Sequence, residues 1–251
     1  MILRAASYNI RTGRTYDGLD SWPFRSRAVA STIRELDADV VGLQEAWRCQ
    51  LRSLGRRLPG YDVEGEGREG AKRGEHCPVL FRSERFGLVD RWTRWYGDEP
   101  AGRLPEASHP RIATLARLVE LADGTAVRGG TEVDVVCTHL DERQQANRER
   151  SAAELVSWLD GDRPTVIVGD LNAEPDNAVL ATLAQAGYQP ALPDGAGGTA
   201  HRFTGRTDGP QIDHILVSRH FEVTDARVVY DHSRRRPASD HWPVVADLTL
   251  R

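Results

Sequence analysis

Residues 166–172 read Val-Ile-Val-Gly-Asp-Leu-Asn, an apolar β-branched run that ends in a carboxylate and an amide. An earlier apolar run ends in the same way at residues 137–141, Cys-Thr-His-Leu-Asp. Between them, the segment from Glu149 to Leu159 carries apolar residues at helical spacing. The three segments predict a strand, a helix and a second strand, with polar residues at the strand ends.

The N-terminal part of the chain repeats this plan. Residues 7–9, Ser-Tyr-Asn, end an apolar run, and Phe24 to Leu36 has helical spacing. Residues 41–45, Val-Gly-Leu-Gln-Glu, then form a strand that ends in a carboxylate. Two such units predict an α/β fold in which two sheets pack face to face with helices outside, a four-layer arrangement.

Other β-rich runs extend these sheets, and Gly- and charge-rich stretches separate them. The predicted strands are 2–10, 39–45, 78–82, 112–121, 132–139, 164–169, 212–218 and 243–250, and the predicted loops are 64–75 and 194–210.

Length and composition are typical of a globular domain. The 251 residues are 39% hydrophobic and 28% charged, and no linker divides them, so we expect a single domain over 1–251. No apolar stretch is long enough to span a bilayer, and residues 1–8 resemble a strand rather than a secretion signal. The three cysteines are widely spaced, which fits a reducing compartment. We therefore expect a cytoplasmic monomer that has no membrane partner.

Several of the polar strand ends suit the chemistry of phosphate ester hydrolysis. That reaction requires a cation to neutralise the phosphate oxygens and a base to position water. Mg²⁺ prefers oxygen ligands, and Glu45 and Asp240 each adjoin an apolar strand. Strand alternation predicts that Asp170 and Asn172 project to the same side, where they would orient the water and hold the phosphate.

A histidine and a further aspartate complete this set. His241 could contact the phosphate or exchange protons, and Asp213 could fix its tautomer. Taken singly, an aspartate or a histidine at a strand end is weak evidence. The joint occurrence of these residues, each next to an apolar strand, predicts a metal-assisted phosphoesterase.

The chain resembles the endonuclease/exonuclease/phosphatase superfamily, which includes pancreatic-type deoxyribonucleases, abasic-site endonucleases, inositol-polyphosphate phosphatases and deadenylases. The resemblance runs from residues 7–10, Ser-Tyr-Asn-Ile, to residues 239–241, Ser-Asp-His. It implies an α/β/β/α sandwich of two mainly antiparallel sheets flanked by helices. It also implies hydrolysis of phosphate esters with Mg²⁺, or alternatively Mn²⁺, as the cofactor.

The chain is most similar to a bacterial group near the deadenylase branch. Residues 21–25, Ser-Trp-Pro-Phe-Arg, and residues 74–81, Gly-Glu-His-Cys-Pro-Val-Leu-Phe, resemble motifs of that group. So does Thr-His-Leu-Asp at 138–141, followed by Arg148. The chain departs from the group at Glu142, where a histidine is usual, and at Asn147, where a small residue is usual.

The resemblance implies a role for each matching residue. Asn9, Glu45 and Asp240 would belong to the metal centre, with Glu45 a direct ligand. Asp170 would orient or deprotonate the attacking water, and Asn172 would hold the phosphate. His241, paired with Asp213, would stabilise the transition state or act as an acid–base catalyst. His139 would contact the phosphate or protonate the leaving group. Substrate binding is implied for Arg111, Glu75 and Arg148.

The sequence leaves the substrate open. A small phosphorylated metabolite or nucleotide fits the net charge of −4, which gives no global argument for a polyanionic partner. The triplet Arg234-Arg235-Arg236 could bind a second phosphate. A nuclease of DNA or RNA is the alternative, with tryptophans as base-stacking platforms. A catalytically inactive binding protein is a third reading, but it predicts the loss of a core catalytic group.

Overall fold

The computed structural model describes residues 1–97, 99–122, 124–126, 130–231 and 233–251. Within these ranges the helices are α1 (Trp22–Leu36), α2 (Arg48–Gly55), α3 (Gln145–Trp158) and α4 (Ala178–Gln185), with a 3₁₀ turn at Gly18–Asp20. The strands are β1 (Ile2–Asn9), β2 (Val40–Gln44), β3 (Ala46–Trp47), β4 (Tyr61–Glu64), β5 (Glu75–His76), β6 (Val79–Arg82), β7 (Phe86–Trp95), β8 (Ile112–Ala122), β9 (Thr125–Ala126), β10 (Glu132–His139), β11 (Thr165–Asp170), β12 (Tyr188–Pro190), β13 (Asp213–Ser218), β14 (Phe221–Val228) and β15 (Val244–Leu250).

The long strands form two sheets. The first has the order β14-β15-β1-β2-β6-β4 and the second the order β12-β13-β11-β10-β8-β7. Each contains one parallel pair, β1 with β2 and β10 with β11, and the other described pairs within these sheets are antiparallel. The prediction of two mainly antiparallel sheets is confirmed.

The two parallel pairs are the two strand–helix–strand units predicted from the sequence. Helix α1 connects β1 to β2, and helix α3 connects β10 to β11. Because parallel strands end at the same edge, the register places Asn9 opposite Gln44 and His139 opposite Asp170. Both units therefore deliver their polar residues to one edge of the molecule.

Three apolar clusters account for the layers. One lies between the sheets, a second packs α3 and α4 on the second sheet, and a third packs α1 on the first sheet. Burial of these side chains is the main favourable term in folding. The resulting order of helix, sheet, sheet and helix confirms the predicted four-layer α/β fold. Representative members of the clusters are, in turn, Ala5, Val168 and Val244; Val136, Leu155 and Val179; and Tyr8, Val29 and Ile33.

The sequence interpretation found the central strands and missed the edges. Strands β14, β4, β12 and β7 lie at the edges of the two sheets, and none was predicted. The middle of β7 is largely exposed, and so is much of β14. Strands β7 and β14 carry charged side chains at several positions, so they lack the apolar runs that mark strands covered on both faces.

Helix boundaries differ from the predicted ones by a few residues. Helix α1 begins at Trp22, with Pro23 in its first turn, where the missing N–H of proline costs no hydrogen bond. Helix α3 begins at Gln145 instead of Glu149, because its first turn is polar and carries no apolar signal. None of the described helices is long and apolar enough to cross a membrane.

Candidate metal centre and catalytic cleft

A cleft of about 1070 Å³ opens at the edge where β1, β2, β10 and β11 end. Most of the residues predicted to carry the chemistry contribute to its wall. The wall includes the predicted residues Glu45, Glu75, Arg111, His139, Asp170, Asn172, Asp240 and His241.

Glu45 follows β2 and is held in the left-handed backbone region, with a φ of 61°. This conformation is unfavourable for a residue with a Cβ and is often found at functional sites. The backbone N–H of Thr12 donates to Glu45 Oε2 at 2.8 Å, and Asn9 Nδ2 donates to Oε1 at 3.2 Å. Glu45 is thereby fixed with its carboxylate in the cleft wall.

Asn9 is fully buried and links the two sheets. Its Nδ2 donates to Glu45 Oε1 and to Asp170 Oδ2, the latter at 3.0 Å. Its Oδ1 accepts from the backbone N–H of Arg11 at 2.9 Å. Asn9 therefore orients both carboxylates through its amide, and it is not part of the cleft wall itself.

Asp240 shares the cleft wall with Glu45 and is buried. Burial raises the pKa of its carboxyl group, and the negative charge of Glu45 raises it further. Arg11 Nη1 is 3.6 Å from Asp240 Oδ2. A bound cation would reduce the repulsion between these two carboxylates. Carboxylate oxygens are also the ligands that hard divalent ions prefer. Glu45 and Asp240 could hold a divalent cation.

A second group of titratable residues lies beside this pair. One ligand atom each of Asp170, Asp213 and His241 lie within 4.8 Å of one another, an arrangement that could also hold a metal ion. However, His241 Nδ1 is hydrogen-bonded to Asp213 Oδ2 at 2.7 Å, and this bond uses the imidazole nitrogen that faces the carboxylates. The bond suits an aspartate that orients a histidine, as predicted for Asp213.

The pKa values of His241 and Asp170 are both raised, for different reasons. Burial opposes protonation of His241, but Asp213 and Asp170 outweigh it and raise the pKa of His241 well above its ordinary value. Burial, followed by the charge of Asp213, raises the pKa of Asp170 to about 7. A carboxylate that titrates near neutral pH is a suitable base for a water molecule.

His139 is held as a neutral imidazole. Its pKa is well below the ordinary value because the ring is buried and faces the positive charges of Arg111 and Arg68. Asn172 Nδ2 donates to its Nε2 at 3.1 Å and to the carbonyl oxygen of Leu140 at 3.2 Å. His139 and Asn172 therefore form one fixed unit in the cleft wall.

Asn172 reaches the cleft by a different route from the predicted one. Strand β11 ends at Asp170, and Asn172 has a φ of 49°, so strand alternation does not apply to this pair. A turn brings the residues together, in which the N–H of Asn172 donates to Asp170 Oδ1 at 3.0 Å. The prediction that both side chains face the same site agrees with their positions in the cleft wall, but the stated geometric reason is wrong.

Two of the three predicted substrate-binding residues line the cleft, and the third does not. Glu75 and Arg111 line the cleft, where Glu75 is paired with Arg68 at 2.6 Å and Arg111 with Glu142. Arg148 is outside the cleft wall. Its guanidinium donates to the carbonyl oxygen of Asp141 at 2.9 Å and to Gln145, so it supports the segment after β10.

Some residues that shape the site were not assigned roles from the sequence. Arg25, in the Ser-Trp-Pro-Phe-Arg motif, is buried and donates to the carbonyl oxygens of Ile10, Arg11 and Asp20. Gln50 donates to the carbonyl oxygen of Arg11 and accepts from the N–H of Gly13. Together they fix the loop after β1, and only the motif gave a signal for Arg25.

The loop after β12 contributes another part of the wall. Arg202 and Phe203 have φ values of 50° and 63° and line the cleft. The N–H groups of His201 and Arg202 both donate to the carbonyl oxygen of Asp240, which ties this strained loop to the catalytic segment. The Gly- and charge-rich composition of residues 194–210 predicts a loop but does not indicate such a turn.

Three solved structures similar to this chain share its fold over 94–100% of their own length. An endonuclease/exonuclease/phosphatase from Bacteroides vulgatus is 29% identical, with a TM-score of 0.88 and coverage of 100% of both chains. The mannosyl-6-phosphatase of Bacteroides thetaiotaomicron is 26% identical, with a TM-score of 0.86 over 99% of this chain and 100% of that one. The catalytic domain of human Nocturnin, 20% identical with a TM-score of 0.76 over 100% of this chain and 94% of that one, shows the likeness of fold alone.

The comparison with curated proteins gave no match. The sequence model of the Endonuclease/Exonuclease/phosphatase family, by contrast, matches residues 6–241, nearly the whole chain. This match confirms the resemblance inferred from the motifs. The chain belongs to the endonuclease/exonuclease/phosphatase family.

Proposed function

We propose that this protein is a Mg²⁺-dependent phosphoesterase that hydrolyses a phosphate ester of a small phosphorylated molecule. The observation that carries the proposal is the meeting of two groups in one cleft. The carboxylates of Glu45 and Asp240 share the cleft wall with Asp170. Asp170 Oδ2 lies 3.6 Å from His139 Nε2 and 3.9 Å from His241 Nδ1. This arrangement supplies a cation site, a base and hydrogen-bond donors for phosphate.

Each residue of the cleft has a chemical task in this proposal. Bound Mg²⁺ would neutralise charge on the phosphate oxygens. Asp170 orients the attacking water and accepts its proton. Asn172 Nδ2 exchanges its hydrogen bond to the carbonyl oxygen of Leu140 for one to a phosphate oxygen and keeps its bond to His139. His241, protonated because of Asp213, donates to the charge that develops on the phosphate in the transition state.

The state of His139 favours one of its two expected roles. Its lowered pKa keeps the imidazole neutral, and Nε2 accepts a hydrogen bond from Asn172. A nitrogen in that state has no proton to give to a leaving group. We therefore assign His139 to positioning Asn172 and the phosphate, and we assign proton donation to His241.

The charge of the cleft supports a small substrate. Several arginines of the wall are already paired with a carboxylate: Arg11 with Asp17 at 3.1 Å, Arg68 with Glu75 at 2.6 Å and Arg206 with Asp208 at 2.6 Å. A nucleic acid that placed several phosphates in the cleft would compete with these pairs. The pair of Arg68 and Glu75 is largely buried, and a phosphate that took Arg68 would leave the Glu75 carboxylate without its partner, which opposes such binding.

The features that suggested a nuclease lie elsewhere. No tryptophan is part of the described cleft wall. Trp22 and Trp242 are buried, and Trp92 packs against Trp158. The triplet at 234–236, which the sequence offered as a site for a second phosphate of a small substrate, also lies elsewhere: Arg234 pairs with Glu35 and Asp231, and neither Arg234 nor Arg236 lines the cleft.

The related structures also support a small phosphorylated substrate. The mannosyl-6-phosphatase matches this chain over nearly all of both proteins, at 26% identity. A phosphatase that acts on a sugar phosphate therefore uses the same fold at the same size. We take a monophosphate ester of a small hydroxylated molecule as the first substrate class to test.

The test is phosphate release in Mg²⁺ from a panel of sugar phosphates and nucleotides, beside cleavage of labelled DNA and RNA. We expect release from small monophosphates and none or little cleavage of nucleic acid. Asp170→Asn should lower kcat by about 10³-fold, because it removes the base, and should leave the unfolding temperature nearly unchanged. Near-normal turnover by that variant would contradict the mechanism, and preferential cleavage of nucleic acid would make the protein a nuclease.

A further inference from the structure

Arg111 and Glu142 form an ion pair in the wall of the catalytic cleft. Arg111 precedes β8 and is buried, with 6% of its surface exposed. Its Nη2 donates to Glu142 Oε2, and Glu142 lies in the turn between β10 and α3 with about a third of its side chain exposed. The pair is therefore open to the cleft from the side of Glu142.

The pair shares the cleft wall with His139 and Glu75. Arg111 acts on the pKa of His139, and its charge also acts on the carboxyl group of Glu75. His139 holds Asn172, the side chain assigned to the phosphate. An arginine at this point, if it had no carboxylate partner, would attract a second anionic group of a substrate.

Glu142 changes what this part of the wall can bind. The guanidinium of Arg111 and the carboxylate of Glu142 neutralise each other, and Arg68 and Glu75 do the same beside them. Guanidinium N–H groups and carboxylate oxygens that remain free can donate to and accept from hydroxyl groups. Two such pairs form a wall that is electrically balanced and rich in hydrogen-bonding groups.

We propose that Glu142 is a specificity-determining residue, which selects substrates that carry one phosphate and several hydroxyl groups over substrates that carry a second phosphate. This inference rests on the proposed phosphoesterase function and names the substrate class of the same cleft. The ligand it points to is a sugar monophosphate. A bisphosphate would bring its second phosphate against the carboxylate of Glu142 and would be repelled.

The experiment compares hexose 6-phosphate with hexose 1,6-bisphosphate as substrates for the wild type and for Glu142→Gln. The wild type should prefer the monophosphate. Glu142→Gln leaves Arg111 with a neutral partner, so KM for the bisphosphate should fall about tenfold relative to KM for the monophosphate. Glu64→Gln, which removes a carboxylate paired with Arg91 outside the cleft wall, should leave the ratio unchanged.

A double variant separates charge from folding. In Arg111→Gln/Glu142→Gln both charges are removed, and the KM ratio should return toward that of the wild type. A ratio that Glu142→Gln leaves unchanged, in a protein whose thermal unfolding is normal, would overturn the inference.

A binding measurement covers the remaining case. If the wild type hydrolyses none of these compounds, the proposed function fails. Calorimetry with inorganic phosphate then decides the inference by itself, since Glu142→Gln should bind phosphate about tenfold more tightly than the wild type. Equal affinities would show that Glu142 does not control anion binding in the cleft.

Discussion

Asp213 is the residue whose effect is most accessible to a pH measurement. Its carboxylate raises the pKa of His241 and also that of Asp170. A raised pKa keeps His241 protonated at higher pH, and the proposed reaction needs His241 protonated and Asp170 ionised. The rate should therefore rise as Asp170 loses its proton and fall as His241 loses its own.

Asp213→Asn should move both limbs of the pH–rate profile to lower pH. Without the carboxylate, the pKa of His241 falls, so the alkaline limb shifts down by about 1–3 pH units. The pKa of Asp170 falls as well, and the acid limb moves in the same direction. Phosphate release measured across the pH range checks this, with Asp225→Asn, an exposed residue paired with Arg227, as the matched control. An alkaline limb that stays in place would contradict the role given to Asp213.

At the scale of single residues, the sequence identified side chains better than it identified their contacts. The positions of Glu45, Asp170 and His241 followed from polar residues at strand ends and from motifs. Asn9 joins two carboxylates through its amide, and Arg148 supports a turn. Both roles depend on contacts that form only in the folded chain. Neither spacing nor composition encodes such contacts.

Among the elements, the two parallel strand pairs determine where the site lies. Strands β1 and β2 of one sheet and β10 and β11 of the other end at the same edge. Gly42 of β2 faces the second sheet, where an added Cβ would lie 2.2 Å from Val168 Cγ2 and 2.9 Å from Cys137 Sγ. The absence of a side chain at Gly42 therefore allows the central strands to approach closely.

Gly42→Ala should destabilise the protein by about 1–3 kcal/mol, because the added methyl group overpacks the space between the sheets. Gly60→Ala is the control, since a Cβ at Gly60 meets no atom within 4 Å. Chemical denaturation of both variants measures the free energy of unfolding. A Gly42→Ala protein as stable as the wild type would show that the sheets can move apart without cost.

The elements that sequence patterns predicted are those buried on both faces. The predicted strands correspond to the interior strands of the two sheets, and the edge strands β4, β7, β12 and β14 were missed. Interior strands bury both faces and read as apolar runs, whereas an edge strand such as β7 mixes Asp90, Arg91 and Arg94 with apolar residues. The charges that protect a sheet edge also hide it from a search for hydrophobic runs.

For the whole molecule, family membership and the layered fold followed from a small set of motifs spread along the chain. The substrate did not follow, because it depends on the cleft wall. Loops contribute much of that wall, including Arg111, Glu142 and the strained turn at Arg202 and Phe203. Glu142 stood out in the sequence only as a departure from the related bacterial group, and its pairing with Arg111 gives that departure a physical meaning.

In the mechanism we propose, Glu45 and Asp240 hold a divalent cation on which phosphate ester hydrolysis depends. The most direct measurement is phosphate release from the best monophosphate substrate, first in EDTA and then during a Mg²⁺ titration, for the wild type, Glu45→Gln and the control Glu64→Gln. We expect the wild type and the control to lose activity in EDTA and to recover it at the same Mg²⁺ concentration. Glu45→Gln, which lacks one charged oxygen ligand, should require at least about tenfold more Mg²⁺. Full activity of the wild type in EDTA, or an unchanged Mg²⁺ requirement in Glu45→Gln, would show that hydrolysis does not depend on a cation held by Glu45.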